Sequence, residues 1–471
     1  MSAAESAVAF ARSQRERFIA DLARLVRFAS VSAQPARAAD VRACADWLAA
    51  HLRAIGLERA RVVSTSRHPI VCAEWRRAHG APTLLVYGHY DVQPAEPLSE
   101  WTSPPFEPTR RGDELVGRGA SDDKAQLVAH VKALESYLRT SGSLPVNVVC
   151  VFEGEEEIGS PSLAAFLRSN RDALRADVAV VSDTTMLAPD RPALTYGLRG
   201  NLVLELEARG PAGELHSGNF GGALVNPLAT LCALVASLHD RRGRIAVSGF
   251  YDKVVPLAPA EREAMARAGP TDAEILRAAR SAPAGEAEYS LYERIAARPA
   301  LTVTGVAGGY SGAGAKAVLP RRAVAKLDAR LVPHQDPAEI DALIRRHAAA
   351  RTPAGVVLDV RALAAAPPAT CDPAQPAMRA AAAAYGRAFG TAPALIRSGG
   401  TVPVVALLQE RLRVPTVVMG FGLPDDRMHA PNERAHLPTF ARAIETCIWF
   451  LAEVARTARA PARPRAAVLA R

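Results

Sequence analysis

The chain alternates short apolar runs with longer segments of helical periodicity. "PTLLVYGHYD" (82–91), "VNVVCVFEGE" (146–155), "ADVAVVSD" (176–183) and "PTVVMGFG" (415–422) each read as a buried strand. Amphipathic stretches separate them, among them "SLAAFLRSN", which opens at Ser160-Pro161, a cap and first-turn pair. Strand and helix in alternation predict a mainly parallel α/β sheet flanked by helices.

Between 197 and 370 the rhythm changes. "NLVLELEAR", "ALTVTGVAG", "RAVAKLDARLVP" and "GVVLDVRAL" read as strands, and "NPLATLCALVASLHD" and "DPAEIDALIRRHAAA" as helices opened by Asn-Pro and Asp-Pro. The order βαββαβ is that of a ferredoxin-like α+β domain. Residues 250–299 form an extra, mostly helical segment. The expected organisation is a first part of the α/β domain at 1–196, an inserted domain at 197–370 and the second part of the α/β domain at 371–457. A basic tail, expected to be flexible, occupies 458–471.

Composition narrows the function. The chain has 471 residues, 49% hydrophobic and 22% charged, with a net charge of +9. That charge would suit a nucleic-acid binder, but the basic residues are dispersed and aromatics make up only 5%. Only the end, "TARAPARPRAAVLAR", concentrates them. No apolar run approaches the ~18 residues of a membrane span. The six cysteines are scattered without a CxxC pair, as in reduced proteins, and the N-terminal stretch reads as an amphipathic helix. The expectation is a cytoplasmic protein with neither nucleic-acid nor membrane partners.

The chemistry lies just past the strands. His89 and Asp91 follow the first, the glutamates of "EGEEEIGS" the second, Asp183 the third and His429 the fourth; Asp122 precedes a helix in "GRGASDDKAQLVAHV". Singly, each has an ordinary explanation: a packed histidine, a helix cap, a turn former, a solvated charge run. Together they matter, because open α/β sheets bind ligands beyond the carboxyl ends of their strands. Two histidines with several carboxylates and no cysteine suit zinc, manganese or cobalt.

"GHYDVQPAEPLSEWTSPPFEP", "LVGRGASDDK", "EGEEEIGS", "SDTTM", "ELHSG" and "HAPNER" together resemble, in order and over nearly the whole chain, the di-metal peptidases and deacylases. That family includes carnosinases, carboxypeptidase G, acetylornithine deacetylase and succinyl-diaminopimelate desuccinylase. "HYDVQP" and "GFYDKVVPLAPAEREAM" place the resemblance nearest the carnosinase-like cytosolic dipeptidases. The resemblance implies two divalent ions, zinc first, manganese or cobalt next. Asp122 would bridge them, with His89 and Asp183 on one and Glu157 and His429 on the other. Glu156 would be the general base activating a water between the metals, and Asp91 would orient His89. It also implies a cis peptide at Asp122–Asp123. The inserted domain would be a lid that pairs chains into a homodimer and supplies His216 to the transition state. Arg330, Gly399, Gly400 and Thr401 would bind substrate. Glu153 and Glu155 need only solvent or a supporting hydrogen bond, and the eight other histidines are read as structural. The expected activity is dipeptide hydrolysis; the alternative is an N-acyl-amino-acid or carbamoyl amidohydrolase with the same machinery.

Overall fold

The computed structural model describes residues 1–457; the basic tail expected at 458–471 lies outside the described residues. Two units make up the chain. The first comprises Met1–Tyr196, Cys371–Leu395 and the chain from Leu407 on; the second comprises Gly197–Thr370 with Ile396–Ala406.

In the first unit four parallel strands lie side by side in the order Asn147–Glu153, Thr83–His89, Val178–Val181 and Thr416–Met419. They read as continuous apolar runs because both faces are covered, and six of the seven residues in Thr83–His89 are buried. The sheet continues antiparallel on either side. Ile70–Trp75 and Glu58–Val63 extend it beyond Asn147–Glu153, and Ala193–Leu198 pairs with Thr416–Met419.

Helix Gln126–Ser141 is buried almost all round, under the terminal helix Leu437–Thr457 and the N-terminal helix Ala3–Ser13. Helix Ala3–Ser13 starts on a capping box between Ser2 and Glu5. Among the described residues, no helix is long and apolar enough to cross a membrane.

The second unit is an antiparallel sheet in the order Ala300–Gly308, Arg322–Leu331, Gly200–Arg209, Val357–Ala366. Leu202, Leu204, Leu206 and Ala208 alternate onto one face. There they meet Leu231 and Leu234 of helix Pro227–Ala236 and Ile340 and Ile344 of helix Pro337–Ala349. Asn226 and Asp336 cap these helices through their side chains, with proline in the first turn. This is the ferredoxin-like order. The segment 250–299 contributes three short helices, Pro259–Ala268, Asp272–Ala279 and Leu291–Ala296.

Candidate metal centre

Three of the four parallel strands of the first unit end at a ligand-type side chain or within four residues of one, and His429 follows the fourth by ten residues. His89 closes Thr83–His89 and is fully buried. Its Nδ1 faces the Asp91 carbonyl oxygen at 3.1 Å, which leaves Nε2 directed at Asp122 Oδ1, 3.2 Å away. Asp183 Oδ2 lies 3.9 Å from the same nitrogen. Asp122 turns its other oxygen, Oδ2, to His429 Nε2 at 2.9 Å, and Glu157 Oε2 stands 3.3 Å from that ring. Two groups result, His89–Asp122–Asp183 and Asp122–Glu157–His429, sharing Asp122. The Asp122–Asp123 peptide bond is cis.

The glutamate turn is held from beneath. Asp91 Oδ1 accepts the N–H of Glu156 at 3.2 Å and its Oδ2 the N–H of Glu157 at 3.1 Å. Gln93 Nε2 donates to Glu157 Oε2 at 2.9 Å. Glu153 and Glu155 are buried, and of solvent and a supporting hydrogen bond it is the latter they take. Glu153 accepts from Tyr87 Oη at 2.5 Å and Ser160 Oγ at 2.9 Å. Glu155 accepts from the N–H of His68 at 2.6 Å and of Ser162 at 2.9 Å, tying two loops to the turn. Gly154 between them is obligatory, since a Cβ there would lie 2.6 Å from the Tyr90 hydroxyl.

The electrostatics describe a place built for added positive charge. Burial, together with the neighbouring acids Asp183, Glu157 and Asp122, pushes the Glu156 carboxyl well above its usual range. Burial and Asp122 push Asp183 up to about 7. Burial alone would lower His89, but hydrogen bonds to Asp122 and Asp91 hold its ring well above an ordinary imidazole. Asp122 and Glu157 raise His429 to about 10. The cluster keeps protons to limit its own repulsion; divalent cations would serve that purpose, and the donors are the oxygens and imidazoles such ions take. The residues therefore fit two divalent metals.

A third group of similar chemistry does not. Asp21, His51 and Glu135 come together, but the Lys132 ammonium sits among them, 2.6 Å from Asp21, 2.8 Å from His51 and 2.8 Å from Glu135. That ammonium already supplies the positive charge.

The remaining candidates lie in the second unit. His216 is exposed, and its Nδ1 accepts the N–H of Gly218 at 3.0 Å, which makes Nε2 the donor of the neutral ring. Arg330 donates to Thr401 Oγ1 at 3.1 Å and to Asp328 Oδ2 at 2.9 Å. Gly400 N–H is taken by Ser398 Oγ at 3.1 Å, and the Gly399 carbonyl accepts from Arg199 at 3.1 Å. Gln93, which donates to Glu157, and Glu433, which accepts from the N–H groups of Ser121 and Asp122, were not marked by the sequence pattern. Both stand inside segments that were, "HYDVQP" and "HAPNER".

A shared carboxylate between two histidine-bearing ligand groups, at the carboxyl ends of parallel strands, is the arrangement of a metal-dependent hydrolase. The chain belongs to peptidase family M20/M25/M40, whose profile matches residues 85–456. It is 32% identical over 399 residues to human Beta-Ala-His dipeptidase, covering 82% of this chain and 78% of that one. It is 29% identical over 465 residues to a Cys-Gly metallodipeptidase of Schizosaccharomyces pombe, covering 94% and 96%. An M20 family metallo-carboxypeptidase from Sulfolobus solfataricus superposes with a TM-score of 0.85 at 32% identity, covering 93% of this chain and 99% of that one.

Proposed function

We propose that this metallopeptidase is a metal-dependent dipeptidase that works with two divalent ions, zinc foremost and manganese or cobalt as alternatives. The observation that carries it is the division of Asp122 between His89 and His429, one oxygen to each. His89 and Asp183 would complete one ion, Glu157 and His429 the other. Ions bound there supply Lewis acidity to an amide carbonyl and lower the pKa of a water.

The chain's own groups carry the proton. Asp91 accepts the backbone N–H groups of Glu156 and Glu157 in one turn, beside the two ligand groups, which supports Glu156 as the general base. Glu156 takes the water's proton and hands it to the leaving nitrogen. His216, with Nδ1 engaged, offers Nε2–H to the developing oxyanion. We assign it to the site of the partner subunit in a homodimer paired through the second unit. The Arg330 guanidinium and the loop carrying Gly399, Gly400 and Thr401 would receive the substrate carboxylate.

Dipeptides are favoured over N-acyl amino acids because the curated relatives described above are named dipeptidases. The six free cysteines agree with a reducing, cytoplasmic setting. A panel of dipeptides, longer peptides and N-acyl amino acids, offered to the metal-loaded protein, tests the reading. Free-amine dipeptides should turn over. Cleavage restricted to N-acyl substrates would replace the dipeptidase reading by the amidohydrolase one.

A further inference from the structure

The segment that carries His429 also carries Glu433, a fully buried carboxylate that the chemistry above does not use. It takes four hydrogen bonds. Oε1 accepts the N–H of Ser121 at 2.9 Å and of Asp122 at 3.0 Å. Oε2 accepts the N–H of Gly119 at 2.7 Å and an Arg118 guanidinium N–H at 2.8 Å. The remaining N–H of the turn, that of Ala120, goes to Gly117 O at 3.1 Å. Every N–H from Gly119 to Asp122 is therefore bonded, three of them to one carboxylate. Asp426, in the same segment, adds a tie by accepting the Ser121 hydroxyl at 2.7 Å. Gly119 is left-handed at φ 81°, and a Cβ there would lie 2.3 Å from Val92 Cγ1, so the turn admits only glycine at that point.

A buried ion pair with Arg118 explains part of this, since an unpaired Arg118 or Glu433 would be costly. It does not explain why three backbone donors converge on the same carboxylate. Those donors belong to the turn that ends at the shared ligand, and the acceptor belongs to the loop that bears a ligand of one ion. We propose that Glu433 is a positioning residue that fixes Asp122 and His429 relative to one another before any ion arrives. The inference rests on the two-metal reading above and adds to it the device that presets the bridging carboxylate.

Cobalt(II) titration of the full chain, followed by visible absorption, tests it alongside hydrogen exchange of the metal-free protein. Glu433→Asp keeps the charge beside Arg118 but withdraws it by one methylene from the N–H groups. It should weaken at least one cobalt ion tenfold or more, the range of such supporting contacts, and alter the spectrum. Arg118→Gln should lower thermal stability yet leave cobalt affinity within threefold. Wild-type cobalt binding by Glu433→Asp would overturn the proposal. So would an equal loss of affinity in Arg118→Gln, because the ion pair would then be what matters. Hydrogen exchange decides independently of how either variant folds. The amides of Gly119, Ser121 and Asp122 should be protected without metal; free exchange until cobalt is added would mean the ion shapes the turn. Fewer than two cobalt ions on the wild type would defeat the two-metal reading, while the exchange result would still judge the clamp.

Discussion

The Asp91 carboxylate accepts the backbone N–H of Glu156 at 3.2 Å while its own carbonyl oxygen faces the ring of His89. One residue thus sets both a ligand and the proposed base. Asp91→Asn presents an amide N–H to one of two backbone donors and should disturb the turn without removing a ligand. Metal affinity should fall about 10–100-fold and turnover should fall beyond that at saturating metal. Metal titration and steady-state rates on one preparation check it; an unchanged kcat at full occupancy would confine Asp91 to metal binding.

Adjacent glutamates should separate by effect. Glu156→Gln keeps shape and loses proton acceptance, so it should retain two ions and lose about two to four decades of kcat. Glu157→Gln should instead lose metal, because Glu157 faces His429 and Asp122. Elemental analysis beside kcat reads the contrast. A Glu156→Gln enzyme with more than a tenth of wild-type turnover would remove Glu156 as the base.

Asp122 belongs to both ligand groups, so Asp122→Ala should lose more metal than any other single ligand change. The wild type should hold two ions per chain at saturation. A measured stoichiometry of one would contradict the shared carboxylate.

His216 and Glu156 stand in different units of the chain. If His216 serves the partner subunit's site, His216→Ala and Glu156→Gln chains, each nearly inactive, should complement when mixed. Half of a statistical mixture is mixed dimers with one intact site each, so about a quarter of wild-type activity should return. No recovery after demonstrated subunit exchange would place His216 in its own chain's site or outside the chemistry.

His130 lies buried against Ser182 Oγ at 2.7 Å, and burial lowers its pKa to about 4. The unfolded chain binds that proton near the ordinary value of 6.5, so stability is intact above pH 6.5 and falls as pH drops toward 4. At pH 5 the loss from this group is about 2 kcal/mol, taking 1.36 kcal/mol per pKa unit. His130→Gln should be less stable at pH 7.5 but lose less on going to pH 5. Urea unfolding of both proteins at both pH values reads the difference; parallel slopes would show that His130 does not titrate this way.

What the sequence disclosed followed from local pattern. Apolar runs ending in His89, Asp183 or the glutamates showed the strands and, through them, the edge where ligands meet. Glu433 stayed hidden because three of its four partners are backbone N–H groups some 310 positions away, which leave no trace in side-chain type. Glu155 read as part of a charge run, yet its acceptors are filled by the N–H groups of His68 and Ser162. The antiparallel flanks of the sheet were equally silent, since Ile70–Trp75 is as apolar as its parallel neighbours. Nor does anything local mark Ile396–Ala406 as part of the second unit.

Lys132 has a consequence for life in a mixed pool of cellular metals. A site of one histidine and two carboxylates competes for whatever transition ion is abundant, and copper outcompetes zinc at most such donor sets. At Asp21, His51 and Glu135 the counter-ion is covalently part of the chain and cannot dissociate. An ion entering there would have to displace that ammonium. The tethered charge gives that trio its counter-charge from within the chain, unlike the pair of groups that share Asp122.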